Sequence, residues 1–232
     1  MNYMLWGYET WFTVVLSIVG FIIILWAQTT VNSSYKKYKK IKTTKGLSGQ
    51  EVARAILDRN GLKDIYVVET RGELSDHYDP SRKVIRLSKE IFHGDTIAAA
   101  AVAAHECGHA IQDKDGYIFM KIRSFLVPVV NLVTYIGYIV AFISIFAGAT
   151  GYLKISILMI LAALLFQLVT LPVEFDASKR ANEELLKLNL VSHDEVIQTK
   201  SMLKSAALTY VASFISSLLN LLRLVIMLND RD

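Results

Sequence analysis

Two histidines and a glutamate share the pentapeptide His105-Glu106-Cys107-Gly108-His109, inside the run AAAAVAAHECGHAIQ. The flanking residues predict a helix, and on a helix positions four apart lie on one face. His105 and His109 therefore offer two imidazoles to one point, the spacing of a zinc-binding H-E-x-x-H helix. Glu106 projects beside that point, where a carboxylate can take a proton from water activated by a metal. Ile97 to Ala104 is made only of small and aliphatic residues, which predicts a buried helix. Ionisable groups at the end of such a helix are costly unless a metal or polar partners satisfy them. One Zn2+ per chain is the expected cofactor. Cys107 is the single cysteine, so no internal disulfide forms, and helical geometry points it away from the histidine face.

A catalytic zinc usually takes three protein ligands and leaves one position open. The metzincin pattern would need glycine at position 112 and a ligand at 115; the chain has Gln112, and Asp115 stays a candidate. Glu174, in LPVEFDASKRA, is the stronger one. Pro172 is expected to end an apolar segment and to be the first residue of a new helix. Glu174 would then lie in the first turn, where the helix dipole favours the deprotonated carboxylate that a metal requires. Tyr210, His93 and His77 are candidate donors to a developing oxyanion.

The elements that must position these residues are partly apolar. The chain has 232 residues, 53% of them hydrophobic, and a mean hydropathy of +0.38, high for a soluble protein. Thr10 to Gln28 is uncharged and flanked by Trp11 and Trp26, as a membrane anchor would be. It lacks the preceding basic residue and the following small-residue cleavage site of a signal peptide, so it is expected to be retained. Ser124 to Leu153 and Ile155 to Val173 form an apolar hairpin around the turn Ala147–Gly151. Ala206 to Leu228 is a weaker stretch, interrupted by Ser213, Ser216, Ser217, Asn220 and Arg223. The net charge of +4 reflects Lys36, Lys37, Lys39, Lys40, Lys42 and Lys45 beside the first segment, a positive-inside signal that can also meet anionic lipid, and not nucleic-acid binding. With Lys179 and Arg180 it predicts an outside N-terminus, an outward hairpin turn and a cytoplasmic site.

Between the apolar segments the pattern is that of an α+β unit. Ser48-Gly49-Gln50-Glu51 is a capping box for a helix through Arg59, ended by Asn60-Gly61. Ile65 to Val68 and Lys83 to Ser88 read as strands, the second after a turn at Asp79 to Arg82. Asp95 is the expected cap of the motif helix, and Ser192 to Glu195 a second capping box. The strand Val84 to Leu87 could pair with an extended substrate. The expected fold is a mostly helical α+β integral membrane protein: a zincin-like part with the H-E-x-x-H helix, a small antiparallel sheet and three to four transmembrane helices. The expected organisation is an anchor over 1–27, a cytoplasmic part over 28–123, a hairpin over 124–173, a third-ligand part over 174–205 and an apolar helix over 206–232.

HECGHAIQ, two apolar spans, PVEFDASKRA and AALTYVA, in that order over nearly the whole chain, resemble the YugP-type membrane zinc metallopeptidases of bacteria. The order is more distantly similar to the HtpX and CaaX prenyl-protease group, whose glutamate motif reads E-x-x-A-D. Here Glu174-Phe175-Asp176-Ala177-Ser178 keeps the glutamate and the alanine but has serine in the last place. The resemblance implies that the residue supporting the metal ligands is either Asp176 or Ser178. It further implies a zinc metalloendopeptidase of the bacterial inner membrane, with His105, His109 and Glu174 holding zinc and Glu106 as the base. Its partners are then a protein or peptide substrate and the lipid bilayer, with a membrane-protein regulator or a second copy of the chain as further candidates and no nucleic acid. The competing expectation is a non-catalytic membrane adaptor with a structural metal site. Such a site would need a fourth protein ligand and would leave Glu106 without a role.

Overall fold

The computed structural model describes residues 3–147 and 153–229, with side chains for 11–133, 135, 136, 155 and 157–226. In chain order the elements are α1 (Tyr3–Tyr38), α2 (Gly49–Arg59), β1 (Tyr66–Thr70), β2 (His77–Asp79), β3 (Val84–Ser88), α3 (Lys89–His93), α4 (Ile97–Lys114), α5 (Ile118–Ala147), α6 (Leu153–Lys187) and α7 (His193–Asn229). They divide between two units. One comprises Thr29–Lys121 and Pro172–Leu208; the other comprises Met1–Gln28, Ile122–Leu171 and Thr209–Asp232.

In the first unit, α4 is the central element. Its alanines have the highest helix propensity, and their small side chains let neighbouring elements approach closely. Ala98 to Ala101, Ala103 and Ala104 are fully buried, and α4 packs on α2, α3 and the sheet. Ile56, Leu57, Ile85, Leu87, Ile91 and Ile97 fill the core around it. Each contributes on the order of 1.5–3 kcal/mol by leaving water. The capping box of α2 forms as its sequence implies: Glu51 N–H donates to Ser48 Oγ, and Ser48 N–H donates to Glu51 Oε2 at 2.8 Å. Gly61, at φ +71°, supplies the left-handed residue that ends the helix.

Two local expectations are corrected here. Asp95 does not cap α4, because its carboxylate is held by Lys42 Nζ at 2.8 Å. Thr96 takes the role, with Oγ1 accepting from Ala99 N–H. Backbone bonds between 41–43 and 95–97 fasten the start of α4 to the chain leaving α1. The sheet is mixed and not antiparallel: β3 is central, parallel to β1 and antiparallel to β2. The short β2 stands between β1 and β3 in sequence and lets the chain return in the same direction. Because β3 is paired on both sides from Val84 to Arg86, the strand expected to meet a substrate presents no free edge there. The edges belong to β1 and β2.

In the second unit the helices are apolar. Trp11–Tyr38, Ile157–Lys187 and His193–Ile226 are each long and apolar enough to cross a membrane, among the described residues. The interrupted fourth stretch is therefore among the candidates, and α5 carries the second apolar segment. Large apolar side chains on α1, such as Trp11, Phe21, Ile22 and Trp26, are exposed, a surface that suits lipid and not water. Residues 148–151 of the hairpin turn and the C-terminal 230–232 lie outside the described residues.

Pro172 does not start a helix. It lies inside α6, which runs unbroken from Leu153 to Lys187. A proline forgoes one hydrogen bond to the preceding turn, and the remaining bonds of a long helix tolerate that loss. Glu174 is accordingly not in a first turn, and no dipole at a helix start acts on it.

Candidate metal centre

The buried end of α4 and the segment of α6 after Pro172 meet at a contact only glycine permits. A Cβ on Gly108 would lie 2.5 Å from the Ala177 carbonyl oxygen, so the absence of a side chain sets how closely the helices approach. This brings Glu174, one turn before Ser178, over the two histidines. His105 Nε2 lies 3.2 Å and His109 Nε2 3.7 Å from Glu174 Oε2, and the rings stand nearly perpendicular with centroids 4.7 Å apart. Ligand atoms around a tetrahedral zinc at bond lengths of 2.0–2.2 Å are separated by about 3.4 Å. The three side chains offer donor atoms within 4.8 Å of one another, a spacing a metal ion fits.

The hydrogen bonds around the cluster fix which atoms carry lone pairs. Gln112 is fully buried, and its Nε2 donates to the Val173 carbonyl at 2.8 Å and to Asp176 Oδ2 at 2.9 Å. Both of those partners only accept, so the amide nitrogen must face them. Its Oε1 then faces His109 Nδ1 at 3.0 Å, which requires Nδ1 to carry the proton. His109 Nε2 is then the ring atom that faces the Glu174 carboxylate. In the neutral ring that atom is the one able to ligate a metal, its orientation fixed by the bond at Nδ1. On the other histidine, Nδ1 contacts Ser178 Oγ at 3.2 Å. Asp176 also accepts from Arg180 Nε, and Arg180 Nη1 donates to Asp115 Oδ2, each at 2.6 Å.

Glu106 is buried next to the cluster. Burial pushes its carboxyl up to about 7; His105 opposes that rise, the Glu174 and Asp76 carboxylates add to it, and the Tyr78 backbone amide lowers it. The Tyr78 amide belongs to the edge strand β2. Its hydroxyl and Lys83 Nζ both donate to Asp113 Oδ2 at 2.8 Å, tying the sheet to the end of α4.

The structure thus gathers His105, His109 and Glu174, with Glu106, Ser178 and Asp176 around them. It leaves out Asp115, His93 and His77. Asp115 is taken by Arg180. His93 is paired with Glu69 at 2.7 Å, and His77 Nδ1 contacts the Ser75 carbonyl. Tyr210 belongs to the apolar unit. Cys107 is buried, with its thiol toward the Ala53 carbonyl and well away from the histidine face. Sequence reasoning missed Gln112 as a partner of His109, although a residue three positions on shares the face of a helix. Arg180 was legible only as a charge.

Residues 13–229 match a family profile described as "Putative neutral zinc metallopeptidase". The chain belongs to that family. The metallopeptidase family match takes in all three donors of the cluster and each of the helices that position them. The chain is also 41% identical over 218 residues to "Putative membrane protease YugP" of Bacillus subtilis (strain 168), covering 94% of this chain and 97% of that protein. No solved structure matches.

Proposed function

We propose that this protein is a membrane-embedded zinc metalloendopeptidase that hydrolyses peptide bonds of protein substrates at the cytoplasmic face of the bacterial inner membrane. The observation that carries this reading is the convergence of His105, His109 and Glu174 donor atoms within 4.8 Å of one another. Gln112 holds His109 by Nδ1, so that Nε2 is the ring atom turned toward Glu174. His105, His109 and Glu174 would hold one zinc per chain in a zincin-like arrangement. Zinc bound there supplies Lewis acidity, acidifying water and polarising the scissile carbonyl. Glu106 accepts the proton from that water and delivers it to the leaving amine, as its place one residue from His105 allows. Gln112 and Ser178 keep the two imidazoles oriented, and Asp176 holds Gln112 in turn.

The substrate strand is reassigned from β3 to β2. Tyr78 opposes Ile85 in the β2–β3 pairing, and its amide reaches the Glu106 carboxyl, so the free side of β2 faces the base. An extended peptide added there would bring its backbone past Glu106. The cytoplasmic placement rests on the lysines after α1 and on Lys179 and Arg180, which lie in the unit that holds the cluster. The adaptor reading is the weaker one, because the cluster has three donors among the described residues and an adaptor gives Glu106 no task.

Metal analysis and proteolysis of an unstructured protein test the proposal together. One zinc per chain is expected, lost in His105→Ala, His109→Ala and Glu174→Ala. Glu106→Gln should keep the zinc and lose the proteolysis. Full activity in Glu106→Gln, or full zinc in Glu174→Ala, would overturn it.

A further inference from the structure

Beyond the metal ligand Glu174, α6 and the first part of α7 enclose a groove of 430 Å³, all of it within the unit that holds the cluster. Its walls are apolar: Phe175 and Leu186 come from α6, and Val196, Leu203 and Ala207 from α7. Phe175 and Leu186 are large apolar side chains 49% and 39% exposed. A hydrogen bond between the two helices fixes the width. Thr199 Oγ1 donates to Asn182 Oδ1 at 2.9 Å, and Asn182 Nδ2 donates in turn to the Ser178 carbonyl at 2.7 Å.

Ser178 belongs to both the groove and the metal cluster, for its hydroxyl is 3.2 Å from His105 Nδ1. On α6, Glu174 and Ser178 are one turn apart on one stripe, and Phe175 lies about 100° further round. His105 is the most exposed of the three donors, 16% against 8% for His109 and 3% for Glu174. The cluster is therefore most open at the histidine that Ser178 touches. An extended peptide advances about 3.3 Å per residue, so a side chain in the groove lies about two or three residues from a bond held at the cluster.

Charge narrows the choice of peptide. Lys179, Lys200 and Lys204 line the groove against Glu183 alone, a surplus of two positive charges. Lys179 is 4.0 Å from Glu183, whereas Lys200 and Lys204 are exposed and form no ion pair among the described residues. The polar Ser178 and Asn182 among the apolar walls suit a peptide better than a continuous acyl chain.

We propose that the groove between α6 and α7 selects the substrate: it takes a large apolar side chain, and Lys200 and Lys204 hold an acidic side chain beside it. This rests on the peptidase reading and adds to it the class of peptide cut, an acidic segment with an apolar residue two or three positions from the scissile bond.

Fluorescence anisotropy reads binding without hydrolysis, with labelled peptides on the full-length Glu106→Gln chain in detergent. One peptide carries leucine flanked by glutamates; two companions replace the leucine by alanine or the glutamates by lysines. The first is expected to bind about tenfold more tightly than the alanine peptide and about fivefold more tightly than the lysine peptide. Adding Lys200→Glu and Lys204→Glu reverses the order of the glutamate and lysine peptides, an exchange that damage to the fold would not produce. Phe175→Ala weakens the leucine peptide about threefold and keeps the charge preference. Lys63→Glu, on the loop after α2, changes neither. In the otherwise wild-type chain, the two lysine reversals raise KM for the leucine–glutamate peptide about fivefold and spare kcat. Equal binding of the three peptides, a charge preference that survives both reversals, or displacement of the peptide by phosphatidylglycerol and not by phosphatidylcholine would overturn the groove. Selective binding with no cleavage by wild type would refute hydrolysis and keep the groove as a peptide site; cleavage without selectivity would do the reverse.

Discussion

Gly108→Ala sets two effects of opposite sign against each other. Alanine in a helix interior is about 1 kcal/mol better than glycine, so propensity alone makes the variant more stable. The contact with α6 opposes this. The new Cβ would stand 2.5 Å from the Ala177 oxygen and 3.1 Å from its Cα and carbonyl carbon, all backbone atoms that cannot swing aside. A relaxed contact needs about 3.4 Å or more, so α6 must retreat by about 0.9 Å. Overpacking of this kind costs about 1–3 kcal/mol, more than the propensity gain. Glu174 lies one turn from Ala177 on the same helix and moves with it. Metal–ligand distances tolerate about 0.2 Å, so the third donor no longer reaches an ion held by both histidines. A misplacement near 1 Å lowers turnover about a hundredfold. Zinc per chain, proteolysis of an unstructured protein and thermal unfolding measure the three consequences. Wild-type zinc and turnover with an unchanged or raised melting temperature would refute the reasoning, because the helices would then not be set by this glycine.

Gln112→Ala should weaken zinc by about 10–100-fold in chelator competition, because His109 loses the acceptor that holds its tautomer. Gln112→Glu should do the same, since a carboxylate cannot donate to Val173 and Asp176; unchanged affinity in both would remove Gln112 from the site. Glu195 accepts from Thr44 N–H, Thr44 Oγ1 and Ser192 N–H at 2.6–2.7 Å. Burial alone would raise its carboxyl, but these donors hold it below its ordinary value of 4.5. A depressed carboxyl stabilises the fold above its unfolded value and loses that contribution as pH falls through the lower folded one. Glu195→Gln, which forfeits about one charge-assisted bond, should therefore cost about 1.5–3 kcal/mol in urea unfolding at neutral pH. The difference should shrink below about pH 4.5, and a gap that does not change with pH would refute the assignment. A cysteine introduced at Gly148 or Gly151 should be labelled from outside intact cells, with buried Cys107 contributing little background; labelling only after lysis would reverse the orientation.

Local signals in the sequence translated well. The H-E-x-x-H spacing, both capping boxes and the left-handed Gly61 depend on residues a few positions apart, and each formed as its pattern implies. What needed long-range knowledge did not. Asp95 looked like the better cap until Lys42 claimed its carboxylate, leaving Thr96. The parallel pairing of β1 with β3 depends on β2, three residues too short and polar to show alternation. Pro172 read as a boundary because proline usually is one, yet a 35-residue helix carries it. Glu174 joins the two histidines although the helix start that was expected to place it does not exist. Gln112 was noticed only for failing another pattern.

The separation of the donors has a consequence for biosynthesis. His105 and Glu174 are 69 residues apart, and the segment between them carries most of two apolar helices. A chain leaving the ribosome at 5–20 residues per second presents its histidines about 3–14 s before its glutamate. Throughout that interval α4 lacks the backbone against which Gly108 packs, and Gln112 lacks both acceptors of its amide. A nascent chain therefore holds two imidazoles and a base without the contacts that orient them. On the proposed function, hydrolytic competence would arrive only after the apolar hairpin has been made, and an unfinished chain would be no hazard to its neighbours.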